Sequence, residues 1–335
     1  MLQTHDKNWI IPSGTQVVTL LKKHYKTTKG VFFKKRGSVG VVIKSPGDNK
    51  QPYLVRFPNG HEISYSRDEL VVRKREIAEK LHEFQCTTDE LLEYKIYGCL
   101  VGSRAYGLED DSSDQDIRGI YLPPAHLHWS IFGVPEQLEI TQMSRLKNGV
   151  SQSSQAVEVP QSSQLRKEDA VYWEFEKFLR LALKANPNIL EVLYTPIKLY
   201  VSPLAEELLE HRKIFLSKNI FKTYGGYVLS QFKRMEQDIR NRGHIRHKHA
   251  CHCLRLLIAG CHALTTGDIL VNVGEHRELL LQIKYGEVPF PDIQQIVREW
   301  ENTFNHAFEQ TTLPDYPDFE KANAILLNAR KAMVR

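Results

Sequence analysis

Two carboxylates, Asp114 and Asp116, stand one residue apart, after a glycine–serine pair at Gly102 and Ser103 and the spacer RAYGLEDDSS. On a strand, side chains at i and i+2 share a face, so Asp114 and Asp116 project together about 7 Å apart at ~3.3 Å per residue. Hard carboxylate oxygens at that spacing suit Mg²⁺ (or Mn²⁺) bound together with nucleotide phosphates. Two such ions activate an attacking hydroxyl and stabilise a leaving pyrophosphate. Arg118 lies two residues further along the same face, placed to neutralise a phosphate or orient the acids. Glycine lets backbone amides come close to a phosphate, and the Ser103 hydroxyl adds a donor. A helix starting at that turn points its positive end at the same anion.

These residues need strands to hold them. Residues 94–101, YKIYGCLV, read as a buried strand ending at Gly102, and a second strand runs from near Asp114 to Leu122, stopped by Pro123 and Pro124. A third covers Asp169–Trp173 and runs into a helix over Glu174–Lys184, with Phe175, Leu179 and Leu183 on one face and Asn186–Pro187 as its stop. A short helix, Ile189–Tyr194, stops at Thr195–Pro196. Between them, residues 142–166 are Ser/Gln-rich without periodicity, the composition of an exposed insertion. A lone Asp-x-Asp is most often a surface turn. The order strand, Gly-Ser, spacer, Asp-x-Asp strand and later strand-borne acid is far more specific.

GSRAYGLEDDSSDQDIRGIY resembles the Gly-Ser and Asp-x-Asp signature of the DNA polymerase β nucleotidyltransferase superfamily, in the form of its RlaP-type, RNA-repair-associated branch. KFLRLALKANPNILEVLY, 177–194, looks like that branch's second block, and KHACHCLRLL, 248–257, like its C-terminal helix. The resemblance covers roughly 90–330. It implies a mixed-sheet core in which Gly102, Ser103, Arg104, Arg118 and Lys248 hold an NTP, and Asp114, Asp116 and a third acid hold the metals. Asp169 is the best match for that acid and Glu174 the alternative. It further implies transfer of a nucleoside monophosphate to a hydroxyl with release of pyrophosphate. An RNA 3′ end is the preferred acceptor, and an RNA ligase a partner such a reaction would have. A protein side chain or a small molecule would suit the same metal site, and a non-catalytic RNA- or protein-binding module on the same fold remains a third reading.

The rest of the chain sets the context. With 335 residues, 41% apolar and 25% charged, the chain is ordinary for a soluble globular protein of two or three domains. No run of ~18 apolar residues marks a membrane span. MLQTHDKNWIIPSG lacks the plan of a secretory signal, and five cysteines without framework spacing point to a reducing, cytoplasmic location. A net charge of +5 is mild, yet no acid falls between Lys7 and Ser45, where eight Lys and Arg residues collect after Lys7. A second basic cluster runs Arg240, Arg242, Arg246 and Lys248. Such local excess attracts phosphate.

Residues 1–75 read as about five short strands, including a hairpin at Pro58-Asn59-Gly60 whose Asn-Gly suits a type I′ turn; together they suggest a basic SH3-like β-barrel. Phe32, Phe33, Tyr53, Phe57 and Tyr65 interleave with its lysines, as core residues or as stacking platforms for unpaired bases. A helix follows within 73–92, with Ile77, Leu81, Phe84, Leu91 and Leu92 as apolar positions. The nucleotidyltransferase core then spans 76–203 and a helical domain 204–335, an α+β plan. In the last, Lys248, His252 and Arg255 fall on one helical face at i, i+4 and i+7, opposite an apolar stripe. The Cys/His run 244–253 fits no zinc spacing. Asn186, Pro187 and Glu191 read as a helix stop and a helix-capping acid.

Overall fold

Short β-branched and aromatic runs, cut by Gly, Pro and Asn, build the first part of the chain, and longer strands alternating with helices build the rest. The structure is a computed structural model and describes residues 9–27, 30–48, 50–75, 86–110, 113–145 and 165–334. It divides into two units, Met1–Cys86 with Ile131–Gly133, and Thr87–Ser130 with Val134–Arg335. Of the helix expected within 73–92, residues 76–85, with Ile77, Leu81 and Phe84, lie outside the described residues, while Thr88–Leu92 is helical with Leu91 buried. No helix among the described residues is long and apolar enough to cross a membrane.

The first unit contains β1 (Gln16–Thr19), β2 (Lys23–Thr27), β3 (Gly30–Lys34), β4 (Val39–Lys44), β5 (Tyr53–Arg56), β6 (Glu62–Tyr65) and β7 (Leu70–Val72). Five of them form one antiparallel sheet in the order β6-β5-β4-β1-β7, while β2 and β3 form a separate two-stranded ribbon. Alternation sorts the side chains: in β6, Ile63 and Tyr65 turn into a core with Val17, Val42 and Tyr53, and Glu62 and Ser64 turn out. The expected SH3-like barrel is not shown as a closed one. β6 and β7 are the two edges of an open sheet, and among the described residues no ladder joins them. The turn 3₁₀ segment Arg67–Glu69 carries the chain from one edge to the other. The hairpin at Asn59-Gly60 is present, but it is not type I′. Only Gly60 takes a positive φ, +81°. Pro58 has its own φ fixed at about −65° by its ring, which suits the second position of a turn, so Phe57–Gly60 closes by a Gly60 N–H to Phe57 O bond of 2.8 Å instead.

The second unit is built on β8 (Lys95–Val101), β9 (Gln115–Tyr121), β10 (Gln137–Arg145), β11 (Leu165–Glu174) and β12 (Lys198–Val201), in the order β10-β11-β9-β8-β12. β9 and β11 pair parallel; the other neighbours pair antiparallel. The eleven α-helices among the described residues are α1 (Thr88–Leu92), α2 (Ser103–Tyr106), α3 (Ala125–Trp129), α4 (Phe175–Leu183), α5 (Pro187–Tyr194), α6 (Pro203–Glu210), α7 (Asn219–Arg242), α8 (His247–Thr266), α9 (Arg277–Tyr285), α10 (Phe290–Gln310) and α11 (Phe319–Ala332). α4 and α5 cover the sheet, with the Tyr97 hydroxyl of β8 donating to Val192 O of α5 at 2.8 Å. α8 is buried almost all round from Ala250 to Leu264, so sheet and C-terminal helices share one core.

The proposed insertion is narrower than its composition suggests. Residues 142–145 and 165–166 lie in the antiparallel ladder of β10 and β11, from Gln142 opposite Glu168 to Arg145 opposite Leu165. A ladder pairs backbone groups and needs no apolar alternation. Residues 146–164 lie outside the described residues.

Candidate active site

The end of β8 sets the geometry. Val101 pairs with Asp116 of β9, so Gly102, the next residue, turns directly over that carboxylate. Gly102 has φ +72°, and a Cβ built on it would lie 2.5 Å from Asp116 Oδ2. Both facts require glycine here: the backbone conformation is one L side chains rarely adopt, and the carboxylate fills the space a methyl would need. Ser103 opens α2, a single turn capped at its far end by Gly107 in the left-handed conformation. Ser103 O accepts from Leu108 N at 2.8 Å, which closes the loop behind the turn.

Register separates the two candidates for the third acid. In the parallel pair β9–β11, Asp169 stands directly beside Asp116. Side chains in register share a face, and neighbouring strands are ~4.8 Å apart. Glu174 is five residues further on, hence on the opposite face, where it pairs in register with Tyr121. There it is the N-cap of α4, accepting from Lys177 N at 3.1 Å, with Arg330 at 3.7 Å and His128 at 3.6 Å. Burial pushes the Glu174 carboxyl above its ordinary range.

Arg118 lies where the strand period puts it. One guanidinium nitrogen is 3.6 Å from Asp116 Oδ1, and another donates to the backbone oxygens of Ile117 at 2.7 Å and Asp169 at 3.0 Å. Thr141, opposite Asp169 across the β10–β11 ladder, donates its hydroxyl to Asp169 Oδ1 at 2.8 Å. Asp114 precedes the first residue of β9 and is exposed. The strand geometry expected for the Asp114–Asp116 pair therefore begins one residue late. Among the described residues, no group of three or more His, Cys, Asp or Glu side chains is gathered closely enough to hold a metal ion. The donor types still fit a hard divalent cation: carboxylates on adjacent strands beside a glycine turn. Arg104, on α2, has its Nε buried with no hydrogen-bond acceptor among the described residues, an orphan that suits an incoming anion.

Behind the turn lies a buried polar cluster that spacing alone does not reveal. The Tyr106 hydroxyl donates to Glu191 Oε2 at 2.6 Å, and Arg255 Nη1 donates to Glu191 Oε1 at 2.6 Å. The Arg255 guanidinium sits 3.7 Å over the Tyr106 ring. Its other end contacts His252 Nδ1 at 3.2 Å. The Glu191 and Arg255 side chains are only 2% and 3% exposed, so each charge depends on the other. Burial raises the Tyr106 hydroxyl far above its ordinary range. Burial, and then the Arg255 charge, lower His252 to about 3.

Two sequence readings fall here. Arg255 does not share a basic outer face with Lys248: Lys248 is exposed, whereas Arg255 is buried against Glu191 and Tyr106. Lys248 is exposed and, among the described residues, makes no hydrogen bond or ion pair with the Gly102–Asp116 group. Glu191 lies inside α5 and caps nothing. Asn186 both stops α4 and starts α5: its backbone N–H donates to Leu181 O at 3.2 Å at the end of α4, and its side chain accepts from Asn188 N at 3.0 Å to start α5, with Pro187 at the first turn.

A helical core behind a mixed sheet, with paired acids beside a Gly-Ser turn, is the arrangement to set against known families. Residues 67–328 match the family described as "RlaP: RNA repair pathway DNA polymerase beta family", and the chain belongs to it. Among curated proteins it is similar to an uncharacterized protein, YcgL, of Bacillus subtilis (strain 168), 27% identical over 164 residues. The match takes in 49% of this chain and 54% of that one, so the chain spans about half the length of the curated relative it matches. Among solved structures, a nucleotidyltransferase-like protein from Exiguobacterium sibiricum 255-15 aligns over 77% of this chain and 79% of its own. The two share 10% identity, with a TM-score of 0.26.

Proposed function

We propose that this protein transfers a nucleoside monophosphate from an NTP to a hydroxyl, with an RNA 3′ end as the acceptor. The observation that supports it most is the register pairing of Asp116 with Asp169 on one face, beside a glycine whose missing Cβ admits the Asp116 carboxylate. Asp116 and Asp169, joined by Asp114, would hold Mg²⁺ or Mn²⁺, which when bound neutralises triphosphate charge and makes the incoming hydroxyl more acidic. The Gly102–Ser103 turn would give its amides and the Ser103 hydroxyl to the triphosphate. Arg104 and Arg118 would neutralise it further. The acceptor oxygen attacks the α-phosphorus, its proton passes to Asp169, and the bond to the β-phosphate breaks to release pyrophosphate. Thr141 would orient Asp169 through its hydrogen bond.

RNA as acceptor draws on the family and on the two basic clusters. An RNA ligase partner and a cytoplasmic location belong to the same reading. The competing reading, a non-catalytic binding module, draws on one observation: the three acids do not gather into a metal cage among the described residues.

The test uses purified protein, Mg²⁺ and each of four α-labelled NTPs. RNAs with intact and truncated 3′ ends go into one set of reactions and a cell-protein extract into the other. Label entering RNA with the native protein and not with Asp116→Ala establishes the reading. Label entering protein alone moves the acceptor to a side chain, and no Mg²⁺-dependent NTP binding at all leaves only the module.

A further inference from the structure

The aromatic residues of the first unit separate into two groups. Tyr53, Phe57 and Tyr65 are core, at 0%, 3% and 0% exposure. Phe32 and Phe33 on β3 are 43% and 48% exposed, and Val31 beside them 64%. The β2–β3 register explains the difference: His24 pairs with Phe33, and Tyr25 with Phe32. Alternation sends Tyr25 and Phe32 to one face, where they meet the His61 ring at 5.2 and 6.5 Å. It sends His24, Val31 and Phe33 to the other, with the His24 and Phe33 rings 6.0 Å apart. Lys22 Nζ hangs 4.3 Å over the Phe33 ring.

Charge then selects the partner. Lys23 is neutralised by Glu69 at 2.7 Å. Lys22, Lys35 and Arg36 have no acidic partner among the described residues, and no acid occurs between Lys7 and Ser45. Exposed rings on a ribbon, flanked by free cations and without one acid, match a strand whose bases present π-faces and whose backbone is anionic. An apolar protein partner would explain the rings and leave the cations unused. A duplex would use the cations and leave the rings unused, because its bases are already stacked.

We propose that the outward face of the β2–β3 ribbon binds unpaired nucleic acid, with a base stacking on Phe33 beside His24 and with Lys22, Lys35 and Arg36 taking the adjacent phosphates. The inference goes beyond nucleotidyl transfer and needs neither NTP nor metal. It lies outside the residues that match the family, 67–328.

Fluorescence anisotropy of the full chain with a labelled single-stranded RNA, and with the same RNA as a duplex, in the absence of NTP and metal, tests it. Phe33→Ala is expected to weaken single-strand binding about tenfold and leave duplex binding unchanged. Phe33→Tyr restores it, and Phe33→Leu, which keeps the apolar bulk, does not. Lys22→Ala/Lys35→Ala is expected to flatten the salt dependence by about one to two phosphate contacts. Single-strand binding by Phe33→Ala or Phe33→Leu equal to the native protein overturns the proposal. So does an equal loss on duplex and single strand, or displacement of the RNA by an acidic peptide that binds tighter. Asp116→Asn, assayed in parallel, loses transfer without losing the Phe33-dependent binding, so failure of either reading shows separately.

Discussion

Gly102, Asp116 and Asp169 form the centre of the proposed site, and each makes a distinct prediction. In Gly102→Ala a methyl would lie 2.5 Å from Asp116 Oδ2 on a backbone at φ +72°. The strain is worth about 1–3 kcal/mol, and the carboxylate must move to relieve it. Thermal melting should therefore fall and nucleotide transfer should fall with it. Asp116→Asn and Asp169→Asn keep the volume and remove the charge, so each is expected to lower transfer by about a hundredfold or more with the melting temperature unchanged. Glu174→Gln should do the reverse: it weakens the cap of α4, costing about 1 kcal/mol, and leaves transfer intact. Equal loss of activity in Glu174→Gln and Asp169→Asn would sink the assignment made by register. The turn at Gly102–Ser103 and the strand through Asp116 were legible in the sequence because a turn has a fixed need for glycine and a strand has a fixed period; the start of that strand after Asp114 was not. The choice between Asp169 and Glu174 was not, because parity along β11 depends on where pairing begins.

At the level of elements, Tyr106, Glu191 and Arg255 tie α2, α5 and α8 together. None of the three pairings is local, so no periodicity announces them; helical spacing even suggested that Arg255 faces outward. Glu191→Gln leaves the Arg255 guanidinium buried without its counter-charge, and removing one partner of a buried pair costs about 3–5 kcal/mol. Replacing both, as Glu191→Leu with Arg255→Met, should recover much of that stability. If the pair also holds Tyr106, and with it the turn at Ser103, the double variant stays slow in transfer although it melts near the native temperature. Full recovery of both would make the pair purely structural.

His252 adds a pH dependence. Its folded pKa of about 3 lies below the unfolded value near 6.5, so the unfolded chain takes up the proton first. Its contribution is complete above about pH 6.5 and is lost as pH falls from there towards 3, at no more than ~1.4 kcal/mol per pH unit. Denaturant titrations at pH 7 and 5 should show that loss in the native protein and a smaller one in His252→Asn.

Across the whole molecule, two hydrophobic cores are separate in sequence as well as in membership. One gathers residues from Ile11 to Leu70 and the other residues from Ile96 to Ala329. The first could be read as a β-unit because its strands are short and turn-bounded, yet its open sheet could not, since closure depends on edge pairing that alternation does not encode. The second unites the strands and the C-terminal helices, because α8 is buried on nearly every side and belongs to neither layer alone. Two cores imply two cooperative transitions, for which a single unfolding free energy is not defined. Leu70, at 2% exposure, and Leu257, at 1%, sit one in each. Leu→Ala at a buried site costs about 2–5 kcal/mol. Scanning calorimetry of Leu70→Ala should therefore lower one component of the melt and leave the other in place, and Leu257→Ala should do the opposite. Transfer activity should follow the transition that Leu257→Ala shifts, since Gly102, Asp116 and Asp169 all stand in that unit. A single transition displaced equally by both variants would mean that the cores unfold as one, and the stability of the site would then depend on the β-unit as well.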